Sequence, residues 1–365
     1  KKERERIFHR GSFDLLVTHY GMVGQEQDLL NSREYDFLVL DEAQAIKNPA
    51  AQVTQAVKAI CAKHKLALTG TPMENRILDL WSIMDCLNPK FFGAPDDFVR
   101  LYSGNPAALR KRLSLLLLRR SKALVASELP PRIVEVLPVE LSEQQRDLYD
   151  RTLLATRKAV KEYGAIQILA GLTKLRQICC DPELILKEPL GECSGKLAVL
   201  LEKLSELVEA GHSALVFSQF TSMLDLIAPR LRDSNIPFWT ITGETPLPRR
   251  GELVEEFSND ERPGVFLLSL KAAGTGLTLT KADYVFLYDP WWNPAVENQA
   301  IDRTHRLGQD KTVMAYRLVA KDSIEERVLA LMEQKRELFD AVIGEGAEQG
   351  VPGKLTREDL LQLLA

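Results

Sequence analysis

Short apolar runs, each cut off by polar or turn residues and followed by a helix-length segment, recur along this chain, and nothing else narrows its fold so far. FDLLVTHY (residues 13–20) closes on Tyr20, DFLVL (36–40) runs into Asp41 and Glu42, and KLALTG (65–70) leads into the Thr69-Gly70-Thr71 triplet. The alternation returns beyond residue 196 as ALVFSQ, FWTITG, VFLLSL, YVFLYDP and VMAYRLVA. Strands that are apolar throughout, rather than at every second position, are buried on both faces. That pattern belongs to parallel sheets with crossover helices. The expected fold class is therefore α/β. Such sheets bind ligands at the carboxyl ends of their strands, where Tyr20, Asp41 and residues 69–71 fall.

Between residues 88 and 190 the pattern changes. LRKRLSLLLLRRSK and EQQRDLYDRTLLATRKAVKEY have helical character, with an extended RIVEVLPVEL between them. Ile168, Leu172, Leu175 and Cys179 repeat at helical spacing and predict one apolar stripe. EPLGECSG (188–195) marks a boundary by its Pro and Gly content. Ile324, Val328, Leu331, Leu338 and Val342 stripe a closing helix, followed by a Gly-rich break (344–353) and a short last helix, TREDLLQLLA. A length of 365 residues suits two domains with an insertion.

Composition excludes several function classes. A formal net charge of −4 argues against a wholly basic nucleic-acid wrapper while allowing a basic cleft on an acidic body. Cys61, Cys86, Cys179, Cys180 and Cys193 form no CxxC pair, and no histidine stands at zinc-site spacing from them. They are expected as buried thiols in a reducing compartment. No apolar run reaches the roughly 18 residues of a membrane span, so a cytoplasmic or nuclear setting is expected.

Four stretches carry chemistry. Asp41 and Glu42 end an apolar strand; one carboxylate can hold Mg2+ and its neighbour can activate a water, although Asp-Glu also simply caps a following helix. ALTGTPMENR (67–76) offers two small hydroxyls, Thr69 and Thr71, that can relay a hydrogen bond from a phosphate site. QAIDRTHRLGQ (299–309) sets Arg303 and Arg306 three apart, on one face of a helix, as two guanidinium groups for a triphosphate. A solvated salt-bridge face is the plain alternative. SLKAAGTGLTLTKADYVFLYDPWWNPAVENQ (269–299) has glycines that let backbone amides approach a phosphate, and Trp291 and Trp292 in a loop after a strand.

Together these stretches resemble the Swi/Snf-like DNA translocases of helicase superfamily two, over nearly the whole chain. THY resembles motif Ib, DEAQAIKN motif II and LALTGTPMENR motif III. LRRSK, LRQICCDP and SGK match the linker region. VFSQFTSML resembles motif IV, AAGTGLTLTKADYVFLYDPWWNP motif V and ENQAIDRTHRLGQ motif VI, the most specific of the set. The resemblance implies two RecA-like lobes with helical protrusions: residues 1–87 as the carboxyl-terminal part of an incomplete first lobe, 88–190 as protrusions and linker, 191–343 as the second lobe, and 344–365 as a tail helix. It implies ATP and Mg2+, with Asp41 on the metal, Glu42 as base, and Gln299, Arg303 and Arg306 reaching the nucleotide from the second lobe. Gly274 and Gly276 would lie on the nucleotide. Thr18, His19, Ser218, Gln219, Lys271, Thr275, Trp292 and Asn293 would lie at the groove of double-stranded DNA, gripping phosphates without reading bases. Thr69 and Thr71 would couple the two sites.

One part of the pattern is missing. A phosphate loop needs GxxxxGK followed by Ser or Thr. The nearest imitation, GECSGKL (191–197), is one residue short and has Leu197 where the hydroxyl belongs. The family order puts that loop before motif Ib, so the chain is expected to be an amino-terminally truncated piece, inactive alone. Its LTREDLLQLLA resembles the end of many bacterial members. Two other readings stand beside the translocase: a non-catalytic DNA- or protein-binding module, and a strand-separating helicase.

Overall fold

The computed structural model describes residues 5–6, 8, 13–70, 73, 77–118, 120, 126, 128–163, 165–188, 194–273, 276–291, 294–331, 333 and 363–364. The chain divides into two compact units, one holding residues through Leu118 and the other beginning at Arg119. Each has its own parallel sheet, so the expected pair of RecA-like α/β lobes is present.

In the first unit, β1 (Tyr35–Leu40) pairs in parallel with β2 (Ala62–Ala67), in register from Tyr35 opposite Ala62 to Leu40 opposite Ala67. A 3-10 turn (Ala43–Ile46) and helix α1 (Gln52–Lys58) make the crossover between them. Ala43, Ile46, Val57 and Ile60 pack under the strands together with Ile83 and Cys86 of α2 (Ile77–Leu87). The buried Ser82 hydroxyl donates to the Ile46 carbonyl at 2.7 Å and joins α2 to the turn. The other face of the pair is open: Phe37, Val39, Leu66 and Leu68 are all about half exposed or more. Residues 13–20, expected as a strand, are not one. The backbone from residue 13 to 19 has no ladder partner among the described residues, Leu15 and Val17 are exposed, and a helical turn begins at Tyr20.

The second unit is built on six strands, all paired in parallel: β3 (Arg132–Val139), β8 (Val313–Ala320), β7 (Tyr284–Leu287), β4 (Ala214–Ser218), β6 (Val265–Ser269) and β5 (Phe238–Ile241), in that spatial order. Every residue of β4 and β6 is buried, as their unbroken apolar sequences require. Their side chains alternate between two cores. Leu215 and Phe217 point toward α7 (Leu247–Asn259) and α8 (Pro294–Ile301), packing with Phe257, Ala300 and Ile301. Val216 joins the opposite layer, with Leu200 and Leu204 of α5 (Gly195–Glu209) and Met223 and Ile227 of α6 (Thr221–Asp233).

The expected insertion at 88–190 is shared between the units. Its first part clusters with unit one; its extended RIVEVLPV is β3, which pairs with β8 along its whole length. An eight-residue strand with an open partner edge gains a full ladder there, so it belongs to the sheet rather than to a linker. The antiparallel pair α3 (Glu143–Tyr163) and α4 (Ala165–Cys180) follows, and the predicted stripe Ile168, Leu172, Leu175 and Cys179 is completely or almost completely buried. It packs on Ile324, Val328 and Leu331 and on Leu363 and Leu364. Leu338, Val342 and most of the expected tail helix lie outside the described residues. Of the cysteines, Cys86, Cys179 and Cys180 are buried thiols, Cys61 is exposed because it precedes β2 at the surface, and Cys193 lies outside the described residues.

The GECSGKL stretch has a structural task. Ser194 caps α5 by accepting from the Leu197 amide. Gly195 passes so close to the Glu140 carbonyl that a Cβ would stand 2.0 Å from its oxygen, which only glycine avoids. Lys196 is fully buried, with Nζ 2.5 Å from Glu325 Oε2 and donating to the Tyr288 carbonyl at 3.0 Å. Burial alone would lower the ammonium pKa; the Glu325 charge beside it leaves it above the usual lysine value. Glu325 also accepts from the Ala320 amide, so the pair fastens the end of β8 to α5. Removing one partner strands the other in a dry interior. Lys196→Met is therefore expected to cost about 3–5 kcal/mol in urea unfolding, and Lys196→Met with Glu325→Leu to recover most of that loss. A double variant as unstable as the single one would mean that packing, not charge pairing, sets the cost.

Candidate functional site

The acidic pair stands where β1 stops. Leu68 donates its amide to the Leu40 carbonyl at 2.8 Å and its carbonyl accepts from Ala43 at 3.0 Å, so the end of β2 holds the chain on both sides of Asp41 and Glu42. Glu42 is bent into the left-handed region, φ 49°, ψ 53°. A side chain with a Cβ pays about 1–2 kcal/mol for that conformation, and strain of this kind concentrates where a side chain must be aimed. Both carboxylates are exposed. Asp41 Oδ1 accepts from the Glu42 amide at 3.1 Å, and the Asp41 carbonyl accepts from the Tyr20 hydroxyl at 2.8 Å. Burial, with the Asp41 charge beside it, pushes the Tyr20 phenol up to about 12, so it remains a neutral donor.

Glu42 is also tied to the end of β2. Gln44 donates Nε2–H to Glu42 Oε2 at 2.6 Å, and the Thr69 hydroxyl donates to Gln44 Oε1 at 2.7 Å. The amide is used at both ends, which fixes its orientation. Thr69 is thereby joined to Glu42 through one intermediate. Sequence reasoning named both terminal residues and missed Gln44; its place two residues after Glu42, inside the 3-10 turn, was the available signal. Thr71 lies outside the described residues. Thr18 and His19 are exposed beside this end of β1.

The donor set decides what metal fits. Among the described residues no three His, Cys, Asp or Glu side chains gather as a cage. One or two exposed carboxylates at a strand end suit Mg2+, which keeps most of its waters and takes its other ligands from phosphates. Asp41 and Glu42 fit that ion.

In the second unit the arginines are not on a helix face. Helix α8 ends at Ile301, and Arg303 and Arg306 follow in a run of turns. Past Ile301 the Arg303 and Thr304 amides donate only three residues back, to the Ala300 and Ile301 carbonyls, the Arg303 carbonyl accepts from the Leu279 amide at 2.9 Å, and Gly308 turns left-handed at φ 95°. The pair still converges on one place. Arg303 Nη1 is 3.5 Å from the Leu277 carbonyl, and Arg306 Nη1 donates to Thr278 Oγ1 at 3.2 Å. These two residues follow Gly276, whose φ of +72° a glycine adopts without strain. The glycine turn and the arginines are thus neighbours. Gln309, unremarked in the sequence, supports both segments: its Nε2 donates to the Thr280, Ala282 and Thr304 carbonyls. Gln299 is half-buried on α8.

Ser218, expected at the DNA groove, is fully buried, and its hydroxyl donates to Asp289 Oδ1 at 2.5 Å. Gln219, half-buried, donates its amide to the same carboxylate at 3.3 Å. Arg176 of α4 completes the cluster: it donates to Gln219 Oε1 at 2.9 Å and to the Pro290 carbonyl at 2.6 Å, and lies 3.8 Å from Asp289 Oδ2. Burial raises the Asp289 pKa, opposed by Arg176 and the Ser218 hydroxyl. Ser218 therefore orients the loop that follows β7. Gly274, Thr275, Trp292 and Asn293 lie outside the described residues, as does the side chain of Lys271.

Comparison with known proteins places the chain in a family. The family described as SNF2-related domain matches residues 2–184, and that described as helicase conserved C-terminal domain matches residues 195–308. An ATP-dependent helicase of Mycoplasma pneumoniae is 35% identical over 99% of this chain and 36% of its own length. The putative ATP-dependent helicase/translocase YwqA of Bacillus subtilis is 36% identical, over 92% of this chain and 38% of its own. The human SWI/SNF-related matrix-associated actin-dependent regulator of chromatin subfamily A member 1 is 33% identical over 97% of this chain and 36% of its own. The chain spans just over a third of the length of these relatives. Among solved structures, the Sulfolobus solfataricus SWI2/SNF2 ATPase core in complex with dsDNA is 31% identical, with a TM-score of 0.54, covering 96% of this chain and 77% of its own.

Proposed function

The chain belongs to the SNF2-related family of helicase superfamily two, and on that footing we propose that it is the motor core of an ATP-dependent translocase on double-stranded DNA. The observation that carries the proposal is the strained Glu42 at a strand end, joined through Gln44 to Thr69. A carboxylate held this way serves as a base whose position follows the segment that begins at Thr69. Asp41 would hold Mg2+, which supplies charge neutralisation on the phosphates. Glu42 orients and deprotonates the attacking water. Arg303 and Arg306 stabilise charge that develops on the transferred phosphoryl group, and Gln299 assists from α8. Gly274 and Gly276 give backbone amides close access to the nucleotide.

The DNA reading draws on the Sulfolobus relative, whose structure was solved with double-stranded DNA. Thr18, His19, Gln219, Lys271, Thr275, Trp292 and Asn293 are the proposed phosphate-backbone contacts, with no base readout. The motif-based limits, 1–87, 88–190, 191–343 and 344–365, are proposed for the functional parts, whereas the two compact units divide at residue 118. No described helix is long and apolar enough to cross a membrane; we assign the protein to the cytoplasm, at the nucleoid, on the slightly higher identity to its bacterial relatives.

Two outcomes follow. Duplex DNA should stimulate phosphate release by the natural-length protein, and Glu42→Gln should abolish it. DNA-stimulated release that persists in Glu42→Gln would contradict the assignment of Glu42 as the base. Arg303→Ala and Arg306→Ala should each lower stimulated turnover by ~10³ or more with little change in DNA affinity. Weakened DNA binding with normal turnover would make the arginines backbone contacts instead.

A further inference from the structure

Glu297 is a fully buried carboxylate that the reading above leaves without a task. It stands in the middle of α8, and its two oxygens serve different parts of the second unit. Oε1 accepts from the backbone amide of Trp291 at 2.9 Å, and Oε2 accepts from Arg317 Nε in β8 at 2.8 Å. Farther along, Asn298 and Asp302 accept from Arg132 in β3, at 2.8 and 3.3 Å. β3 and β8 are neighbours in the sheet. Two arginines on adjacent strands therefore hold α8 along its length.

The loop before α8 is gripped with equal care. Its first residues, Asp289 and Pro290, are held by Ser218, Gln219 and Arg176, and the Arg176 guanidinium lies 5.8 Å from both the Phe220 and Trp291 rings. Its far side is held at the Trp291 amide, by Glu297. Besides the chain itself and the packing of Trp291 in the core it shares with Ala300 and Ile301, that amide bond is a directed link by which a displacement of the loop reaches α8. Arg303 and Arg306 lie immediately beyond the helix. One short helix thus has the tryptophan loop at one end and the paired arginines at the other, with Glu297 linking loop, helix and sheet.

We infer that Glu297 is a positioning residue that transmits displacement of the Trp291 loop to Arg303 and Arg306, so that engagement of duplex DNA at the loop resets the arginines. The inference rests on the proposed translocase function. A carboxylate is required because both oxygens accept. A glutamine accepts with one oxygen only and presents an NH2 group to the other donor, so Glu297→Gln breaks one link whichever way the amide turns.

The test is hydrogen exchange on the natural-length protein with and without a duplex oligonucleotide. In the wild type, duplex should change exchange both at residues 288–291 and at residues 302–306. In Glu297→Gln the first segment should still respond and the second should not, and the ratio of DNA-stimulated to DNA-free phosphate release should fall at least tenfold. Arg317→Lys keeps a charge near the carboxylate but loses the Nε geometry; it reads the same two quantities should Glu297→Gln fold poorly. Persistence of both exchange responses, or an equal fall in stimulated and DNA-free rates, overturns the inference and leaves Glu297 a purely structural ion pair. A wild type that shows Glu42-dependent turnover but no exchange response at 302–306 overturns it too. A wild type without DNA-stimulated turnover defeats the translocase reading itself, and this inference with it.

Discussion

Every strand pairing described in this chain is parallel, and the placement of its functional residues follows from that constraint. Parallel strands cannot be joined by tight hairpins. Each return crosses over through a helix, so all carboxyl ends of one sheet lie along one edge. In the first unit that edge carries Asp41, Glu42 and Thr69. In the second it carries Ser218, the segment after β6 and Asp289. Chemistry gathers there because strand amides and carbonyls run out at those ends, leaving loops to be held by side chains.

Those side chains are polar and mostly buried, which is costly unless each finds a partner. Arg176, Lys196 and Glu297 each find several. Lys196 ties α5 to the end of β8, Arg176 ties α4 to the loops after β4 and β7, and Glu297 ties the latter loop to α8 and the sheet. Apolar residues of similar size could fill these volumes, but they would not fix the direction of a loop. The second unit uses buried charge to aim backbone segments, whereas the first aims Glu42 by a strained backbone and a three-residue hydrogen-bond chain.

Much of this was legible in the sequence. The unbroken apolar runs of β4 and β6 announced strands buried on two faces, and the stripe of Ile168, Leu172, Leu175 and Cys179 announced the face of α4. Motif spacing located Asp41, Glu42 and the two arginines. Departures occurred where a distant partner decides the local state. Residues 13–20 have strand composition but no ladder beside them among the described residues, while RIVEVLPV gained one from a strand about 180 residues away. Arg303 and Arg306 have helical spacing, yet α8 ends at Ile301 and the Arg303 carbonyl accepts from the distant Leu279 amide. Gln44, Gln309 and Glu297 escaped notice because each is an ordinary polar residue in sequence. Only the meeting of Gln44 with Thr69, Gln309 with three carbonyls, and Glu297 with Trp291 and Arg317 gives them roles.

The central claim is that Glu42 acts as a base whose position is set, through Gln44, by Thr69. A double-mutant cycle on DNA-stimulated phosphate release by the natural-length protein tests it most directly, using Gln44→Met and Thr69→Val. Each substitution cuts the same chain of hydrogen bonds, so either alone should slow turnover about as much as both together, with strong non-additivity between the sites. Slowing in the double variant equal to the product of the two single effects would mean that Gln44 and Thr69 act independently, and that Glu42 is not governed by the segment that begins at Thr69.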